Sequence, residues 1–131
     1  MSKEETLQKF RSLIRNIQYY NEAIGVLYWD MRTGAPRKGV EGRSEVVGML
    51  SGEMFRLSVS DEMGECLERL SRPDVLEGLG EVDRRLLEVT RKDFERMRKI
   101  PKHEYEAYVV LTSKAESVWE EAKANNDFAS F

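Results

Sequence analysis

The sequence predicts an all-α protein of about five helices. Three observations support this fold class. Apolar residues recur at alternating steps of three and four, no stretch alternates with period two as a strand would, and glycines and prolines separate the periodic segments. We expect a long first helix with the shorter helices packed on it, in a bundle or a layered array.

The first predicted helix, over residues 2–36, is long for a chain of 131 residues. About 30 residues rise to about 45 Å, whereas a compact domain of this size is about 36 Å across. Either this helix is kinked, or it pairs with another chain, or it belongs to a larger protein. Its apolar face, which must be buried, consists of Leu7, Phe10, Leu13, Ile14, Ile17, Tyr20, Ile24, Leu27 and Tyr28.

Both ends of this helix are marked by local signals. Ser2 and Glu5 have the spacing of a capping box, in which two side chains satisfy free amide groups of the first turn. Gly34 can take the conformation that closes a helix, and Pro36 cannot continue one. Gly25 costs about 1 kcal/mol relative to Ala, so a break between residues 21 and 25 is an alternative.

Four further helices are predicted after residue 39. The second carries Gly42, Gly48 and Gly52, small residues that let another helix approach closely, and we expect it to pack against the first helix. Ser60 is the expected N-cap of the third helix. The predicted spans are 40–59, 61–70, 81–100 and 105–122, with a linker or one short turn between residues 73 and 80.

Composition is that of one globular domain, over residues 1–131. Hydrophobic residues make up 40% and charged residues 34%, which is too apolar for a disordered chain. No apolar run reaches the length of a membrane span and no signal segment opens the chain, so we expect a cytoplasmic protein without a membrane partner. Cys66 is the single cysteine, which excludes an internal disulfide, and we expect it to be buried.

Charge is uneven along the chain, although the net charge is only −3. Residues 53–83 hold nine acidic and three basic residues, whereas residues 84–102 hold eight basic and three acidic ones. These blocks are interpreted as solvated helix faces that can also dock on each other or on a partner. The basic block lacks interleaved aromatics, so nucleic acid is not expected as a partner.

The sequence contains no complete catalytic motif. His103-Glu104-Tyr105-Glu106-Ala107 has Ala where the zinc motif His-Glu-x-x-His has its second ligand, and it contains the only histidine of the chain. We expect His103 to be a first-turn helix residue. No catalytic, substrate-binding or metal-ligating residue is predicted within these 131 residues.

One polar cluster is unusual, the segment Trp29-Asp30-Met31-Arg32-Thr33 at the end of the first helix. It either lines a cleft or has a structural role. In the structural role, the positive charge of Arg32 interacts favourably with the negative C-terminal end of the helix, and Asp30 pairs with Arg37, Lys38 or Arg43.

The last residues look like the opening of another element. Asp127 is a good N-cap residue, and the following segment, Phe128-Ala129-Ser130-Phe131, is largely apolar. Together with the long first helix, this pattern leads us to expect an N-terminal piece of a longer protein.

Two segments resemble a known family. Residues 27–36, Leu-Tyr-Trp-Asp-Met-Arg-Thr-Gly-Ala-Pro, with residues 39–45, Gly-Val-Glu-Gly-Arg-Ser-Glu, are similar to the N-terminal signature of the thermostable metallocarboxypeptidases, the carboxypeptidase Taq family. Residues 118–131 resemble a helix of the same family that leads into Asn-Asp-Phe. Met31 stands where the family often has Gln, and Gly34-Ala35 where Tyr-Met is common.

The resemblance implies a large helical enzyme that releases amino acids one at a time from peptide C-termini, usually as a homodimer. Its divalent metal, zinc in type, is held by the two His of His-Glu-x-x-His and a downstream Glu, all beyond residue 131. The matching region walls or covers the substrate cleft. The chain is therefore predicted to be inactive and free of catalytic zinc when isolated, with peptides and the remainder of the enzyme as partners.

A different function class stays open, a free-standing helical interaction or dimerisation module. It would self-associate through the apolar face of residues 7–28. A discrete dimer with a clean melting transition would favour this alternative over an enzyme fragment, which should expose apolar surface and associate nonspecifically.

Overall fold

The computed structural model describes residues 1–131 and is all-α, as predicted. Five longer helices are present, and a one-turn helix occupies part of the stretch predicted as a linker or short turn. None of the helices combines the length and the apolar composition needed to cross a bilayer. The helices are α1 (Lys3–Thr33), α2 (Val40–Ser58), α3 (Asp61–Leu70), α4 (Pro73–Leu76), α5 (Glu81–Met97) and α6 (Lys102–Ala124), with one 3-10 turn, Arg37–Gly39, before α2.

Helix α1 runs without a break, and its first turn holds the predicted capping box. The Ser2 amide donates to Glu5 Oε2 over 2.6 Å, and the Glu5 amide donates to Ser2 Oγ over 3.1 Å. The hydrogen bond from the Ser2 backbone is the main cause that lowers the pKa of Glu5. Ser60 likewise caps α3, since its hydroxyl accepts from the Met63 amide over 3.2 Å.

The chain forms two compact units, each assembled from two separate stretches. Unit 1 comprises residues 1–19 and 54–101, and unit 2 comprises residues 20–53 and 102–131. Helices α1 and α2 each contribute to both units, whereas α3, α4 and α5 belong to unit 1 and α6 belongs to unit 2.

Unit 1 has an apolar core built from α1, α3 and α5. Cys66 is buried in it, as predicted, and burial raises the pKa of its thiol. At the edge of the core, Arg11 of α1 donates from Nε and Nη2 to the two carboxylate oxygens of Asp83, over 3.2 and 2.7 Å. Each fully buried large side chain stabilises the fold by about 1.5–3 kcal/mol. The core residues are Leu7, Phe10, Leu13, Met63, Cys66, Leu67, Leu70, Leu79 and Leu87.

Unit 2 depends on a contact between small residues of α2 and the facing side of α6. Ser44 of α2 and Ser113 of α6 are both buried, and their hydroxyl oxygens lie 2.9 Å apart in a hydrogen bond. One turn further along α2, a Cβ added at Gly48 would collide with Val110 Cγ2 and lie 3.6 Å from the Glu106 carbonyl oxygen. Another turn on, a Cβ at Gly52 would collide with the Glu106 carboxylate.

The close partner of these glycines is therefore α6 rather than the predicted first helix. Gly42, the other glycine of α2 predicted to face a helix, has open space around the position of a Cβ. The spacing of the glycines correctly indicated that α2 has a face on which another helix can pack. That face does not include Gly42, because it begins at Ser44 and contains Gly48, Ser51 and Gly52.

Substitution of these glycines tests the contact. We expect Gly48→Ala to lower the free energy of unfolding by about 1–2 kcal/mol, because the collision with Val110 outweighs the gain in helix propensity. Gly42→Ala is the matched control in the same helix, and it should raise that free energy by about 0.5–1 kcal/mol. Urea unfolding followed by circular dichroism measures both, and equal effects of the two variants would contradict the contact.

The capping box gives a pH-dependent prediction. Because the folded-state pKa of Glu5 is lowered, its contribution to stability is present above its unfolded pKa and is lost as pH falls through the folded value. We expect Glu5→Gln to be less stable than the wild type at pH 7, by a margin that shrinks as pH falls through the folded-state pKa of Glu5. Urea midpoints measured across this range test it, and a pH-independent difference would refute the assignment to the carboxylate.

Candidate functional site

The polar cluster of residues 29–33 forms the last turn of α1 in unit 2, near the beginning of α2 and the second half of α6. We call the arrangement of residues 28–45 and 113–121 the signature corner. Trp29 is exposed and Met31 is half-buried. The Thr33 hydroxyl donates to the Trp29 carbonyl over 2.7 Å, which is a bond within the helix. The corner therefore depends mainly on the charged residues.

Arg32 is the central cation of the signature corner. Its guanidinium donates through Nη1 to Glu120 and through Nη2 to Glu116, two carboxylates one turn apart on α6. Five residues later, Arg37 Nη1 donates to Glu121 Oε1 over 3.2 Å. These pairs join the end of α1 and the following turn to one side of α6. The predicted interaction of Arg32 with the negative end of its own helix is thus accompanied by pairing with a neighbouring helix.

Asp30 and Lys114 connect α2 to the same corner. Asp30 Oδ2 lies 2.9 Å from Arg43 Nη1, so Arg43 is the partner among the three cations that the sequence offered. Lys114 Nζ donates to Glu45 Oε1 over 3.0 Å and lies 3.7 Å from Glu41 Oε1. The hydrogen bond to Glu45 is the main cause that raises the pKa of Lys114. Cations and carboxylates therefore alternate across the corner.

A buried polar contact supports these surface pairs. Ser44 and Ser113 share a hydrogen bond, and the Tyr28 side chain also interacts with Ser113. Burial is the main cause that raises the pKa of Tyr28, while the bond to Ser113 opposes the shift. A satisfied polar pair in a closely packed contact fixes the register of two helices, because a shift of one turn would leave hydroxyls unpaired.

A groove of about 420 Å³ lies beside the ion pairs, and it holds no catalytic couple. The lysine and glutamates in its wall are already engaged in the pairs described above, and Ser117 has no histidine near it in the sequence to act as a base. This arrangement positions helices and does not resemble a reaction centre. The groove is lined by Met31, Ala35, Arg37, Val40, Glu41, Lys114, Ser117, Val118, Glu120 and Glu121.

His103 lies exposed in the first turn of α6, where the sequence predicts it. The structure brings together no group of three His, Cys, Asp or Glu side chains that could hold a metal ion. Glutamates are numerous on α6, but those of the signature corner pair with Arg32 of α1 and Arg37 of the intervening turn.

A family model, the carboxypeptidase Taq (M32) metallopeptidase, matches residues 9–131. The chain belongs to this family. It is 41% identical over 124 residues to Carboxypeptidase 1 of Bacillus subtilis, a match that covers 95% of this chain and 24% of that protein. It is 31% identical to Thermostable carboxypeptidase 1 of Pyrococcus furiosus, over 97% of this chain and 25% of the relative.

Comparison with solved structures agrees with the family. The crystal structure of BsuCP superimposes with a TM-score of 0.92 at 40% sequence identity, covering 97% of this chain and 25% of that one. The chain thus spans about a quarter of the length of the curated relatives it matches. The resemblance inferred from residues 27–45 and 118–131 is confirmed.

Membership of a metallopeptidase family implies a divalent metal in the complete enzyme. The residues of this chain do not fit such a metal, because the single His103 is exposed and no second or third ligand converges with it.

The structure brings the two signature segments together in unit 2. Arg32 of the first segment pairs with Glu120 of the second, and Arg37, which lies between the two parts of the first segment, pairs with Glu121. The sequence argument did not include Glu116 and Lys114. The glutamate could have been found from its spacing, since Glu116 and Glu120 lie four residues apart on one face of α6.

Removing the central cation tests whether the ion pairs hold the corner. We expect Arg32→Met, which keeps the aliphatic stem, to lower the free energy of unfolding by about 1 kcal/mol, because two neighbouring carboxylates then repel each other unopposed. The loss should shrink in 1 M NaCl, where screening acts over about 3 Å.

Arg85→Met is the control for this substitution. Arg85 pairs only with Glu88 of its own helix, so a smaller loss of about 0.3–0.5 kcal/mol is expected. Urea unfolding at low and high salt measures both variants. A loss at Arg32 that is unchanged by salt would show that the side chain acts through packing alone.

Proposed function

We propose that residues 1–131 act as one N-terminal helical region of a metal-dependent carboxypeptidase, which releases C-terminal amino acids from peptides. The observation that carries this proposal is the family match over residues 9–131, at an identity of 41% to Carboxypeptidase 1 of Bacillus subtilis. The region walls or covers the substrate cleft, while the metal and the catalytic groups belong to the rest of the enzyme.

The proposed chemistry of the complete enzyme rests on its metallopeptidase family. A hydrolytic metal needs several converging ligands, and the single exposed His103 supplies only one. We propose zinc as the metal, peptides with a free C-terminal carboxylate as substrates, and a homodimer as the assembled enzyme. Nucleic acid is not a proposed partner.

The alternative, a free-standing interaction module, was expected to self-associate through the apolar face of residues 7–28, and that face is not free. Four residues of the apolar face on α1 are buried by the chain itself, namely Leu7, Phe10, Leu13 and Ile24. Self-association through that face would first require the core to open. A module that used another surface would leave unexplained why nearly the whole chain is identical in part to carboxypeptidases.

A comparison of the isolated chain with a complete enzyme tests the proposal. We expect the purified 131-residue chain to bind no stoichiometric zinc and to hydrolyse no peptide. Joined to the remaining three quarters of the Bacillus subtilis relative, it should release C-terminal amino acids in a reaction that a chelator abolishes. Metal analysis and amino-acid release are the measurements, and C-terminally amidated peptides serve as the control substrates.

Two outcomes would contradict the proposal. Stoichiometric zinc on the isolated chain, together with chelator-sensitive hydrolysis, would place the reaction centre within these residues. Equal hydrolysis of free and amidated peptides by the joined protein would exclude an enzyme that recognises the C-terminal carboxylate.

A further inference from the structure

Helix α6 carries apolar residues on two faces, and only one of them is covered. The covered face packs on α2 through Val110 and Ser113. Along the other face, apolar residues recur at steps of three, four and three, with a tryptophan beside the last, so that they form a continuous stripe. We call this stripe the outer face of α6, and it consists of Tyr108, Leu111, Ala115, Val118 and Trp119.

The outer face is exposed along its whole length. Tyr108 is 62% exposed, Leu111 67%, Val118 50% and Trp119 43%. Helix α3 shows the ordinary pattern, because its three large apolar residues and Cys66 are all buried and its other positions are polar or small. A helix that is apolar on opposite sides is normally covered on both. The outer face of α6 is therefore an apolar surface that no other part of these 131 residues covers.

Along the second half of this stripe, the charged residues are already engaged within unit 2. Between residues 111 and 124, two lysines and three glutamates occur. Lys114 pairs with Glu45, and Lys123 lies 4.9 Å from the centre of the Trp119 ring. Each of the three glutamates, Glu116, Glu120 and Glu121, pairs with Arg32 or Arg37.

Because these charged residues pair within unit 2, a partner on the same polypeptide is favoured over a separate protein. A separate protein finds and orients itself on its target largely through complementary charges, which are spent here. A segment of the same polypeptide needs no such steering, because its effective concentration is set by the connecting chain. The curated relatives are about four times as long as this chain, so enough polypeptide is available to cover the stripe.

We propose that the outer face of α6 packs against the remaining three quarters of the complete polypeptide. This inference rests on the proposed function, since it takes the chain to be one region of a longer enzyme. The BsuCP structure supports it, because its matching quarter keeps the same backbone within the longer chain, with a TM-score of 0.92. Unit 2 therefore docks without refolding. The covered face of α6 packs on α2 within unit 2, and its outer face packs on the remaining part of the polypeptide.

Thiol accessibility tests the proposal at a single position. Leu111→Cys places a thiol in the middle of the outer face, and native Cys66 is only 2% exposed and gives little background. In the 131-residue chain, a maleimide should modify this thiol as fast as any exposed one. In the protein joined to the remaining part of Carboxypeptidase 1 from Bacillus subtilis, the rate should fall at least about tenfold, because the site opens only by local unfolding.

Val82→Cys is the matched control. Val82 is 81% exposed on α5 in unit 1, so its thiol gives the rate of an exposed site with which residue 111 of the 131-residue chain is compared. Peptide mapping by mass spectrometry identifies the modified residue, and circular dichroism melting confirms that both variants fold. Equal rates at residue 111 in the two proteins would overturn the proposal. Protection that grows with concentration of the 131-residue chain, with a dimer in sedimentation, would also overturn it, in favour of a second copy.

Peptide hydrolysis measured on the same samples separates this inference from the proposed function. Protection of residue 111 in a joined protein without carboxypeptidase activity would contradict the proposed function and support the docking surface. Carboxypeptidase activity without protection would support the function and refute the docking surface.

Discussion

Two helices can pack closely where one of them carries small residues that leave room for the side chains of the other, and the contact of α2 with α6 meets this condition. Ser44 and Gly48 leave room that Ser113 and Val110 fill. The buried hydroxyl pair then fixes the register of the two helices. With α6 held in this position, its glutamates lie within reach of Arg32 and Arg37. The ion pairs of the signature corner are thus a consequence of a contact made by small residues.

The elements of the fold could be predicted because their signals are local. The capping box of Ser2 and Glu5 and the cap at Ser60 each act within one turn, and each is where the sequence indicates. The partner of the glycine face could not be predicted. Spacing reveals that Gly48 admits another helix, but the choice of α6 over α1 depends on packing between residues far apart in sequence.

The candidate site was predictable in part for a related reason. The cluster of residues 29–33 stood out by composition, and the alternatives for Asp30 included its actual partner, Arg43. The pairing of Arg32 with Glu116 and Glu120 joins residues more than 80 positions apart, which periodicity cannot detect. Likewise, hydropathy does not tell which apolar residues the chain covers itself, and Leu111 of α6 is exposed.

The stretches that build the two compact units alternate along the sequence. Unit 1 begins the chain, gives way to unit 2 at residue 20, resumes at residue 54 and ends at residue 101. Neither unit is a contiguous gene segment, so recombination at a single crossover cannot transplant either one intact. Exchange between homologous enzymes would preserve both units only if all the stretches that build them moved together.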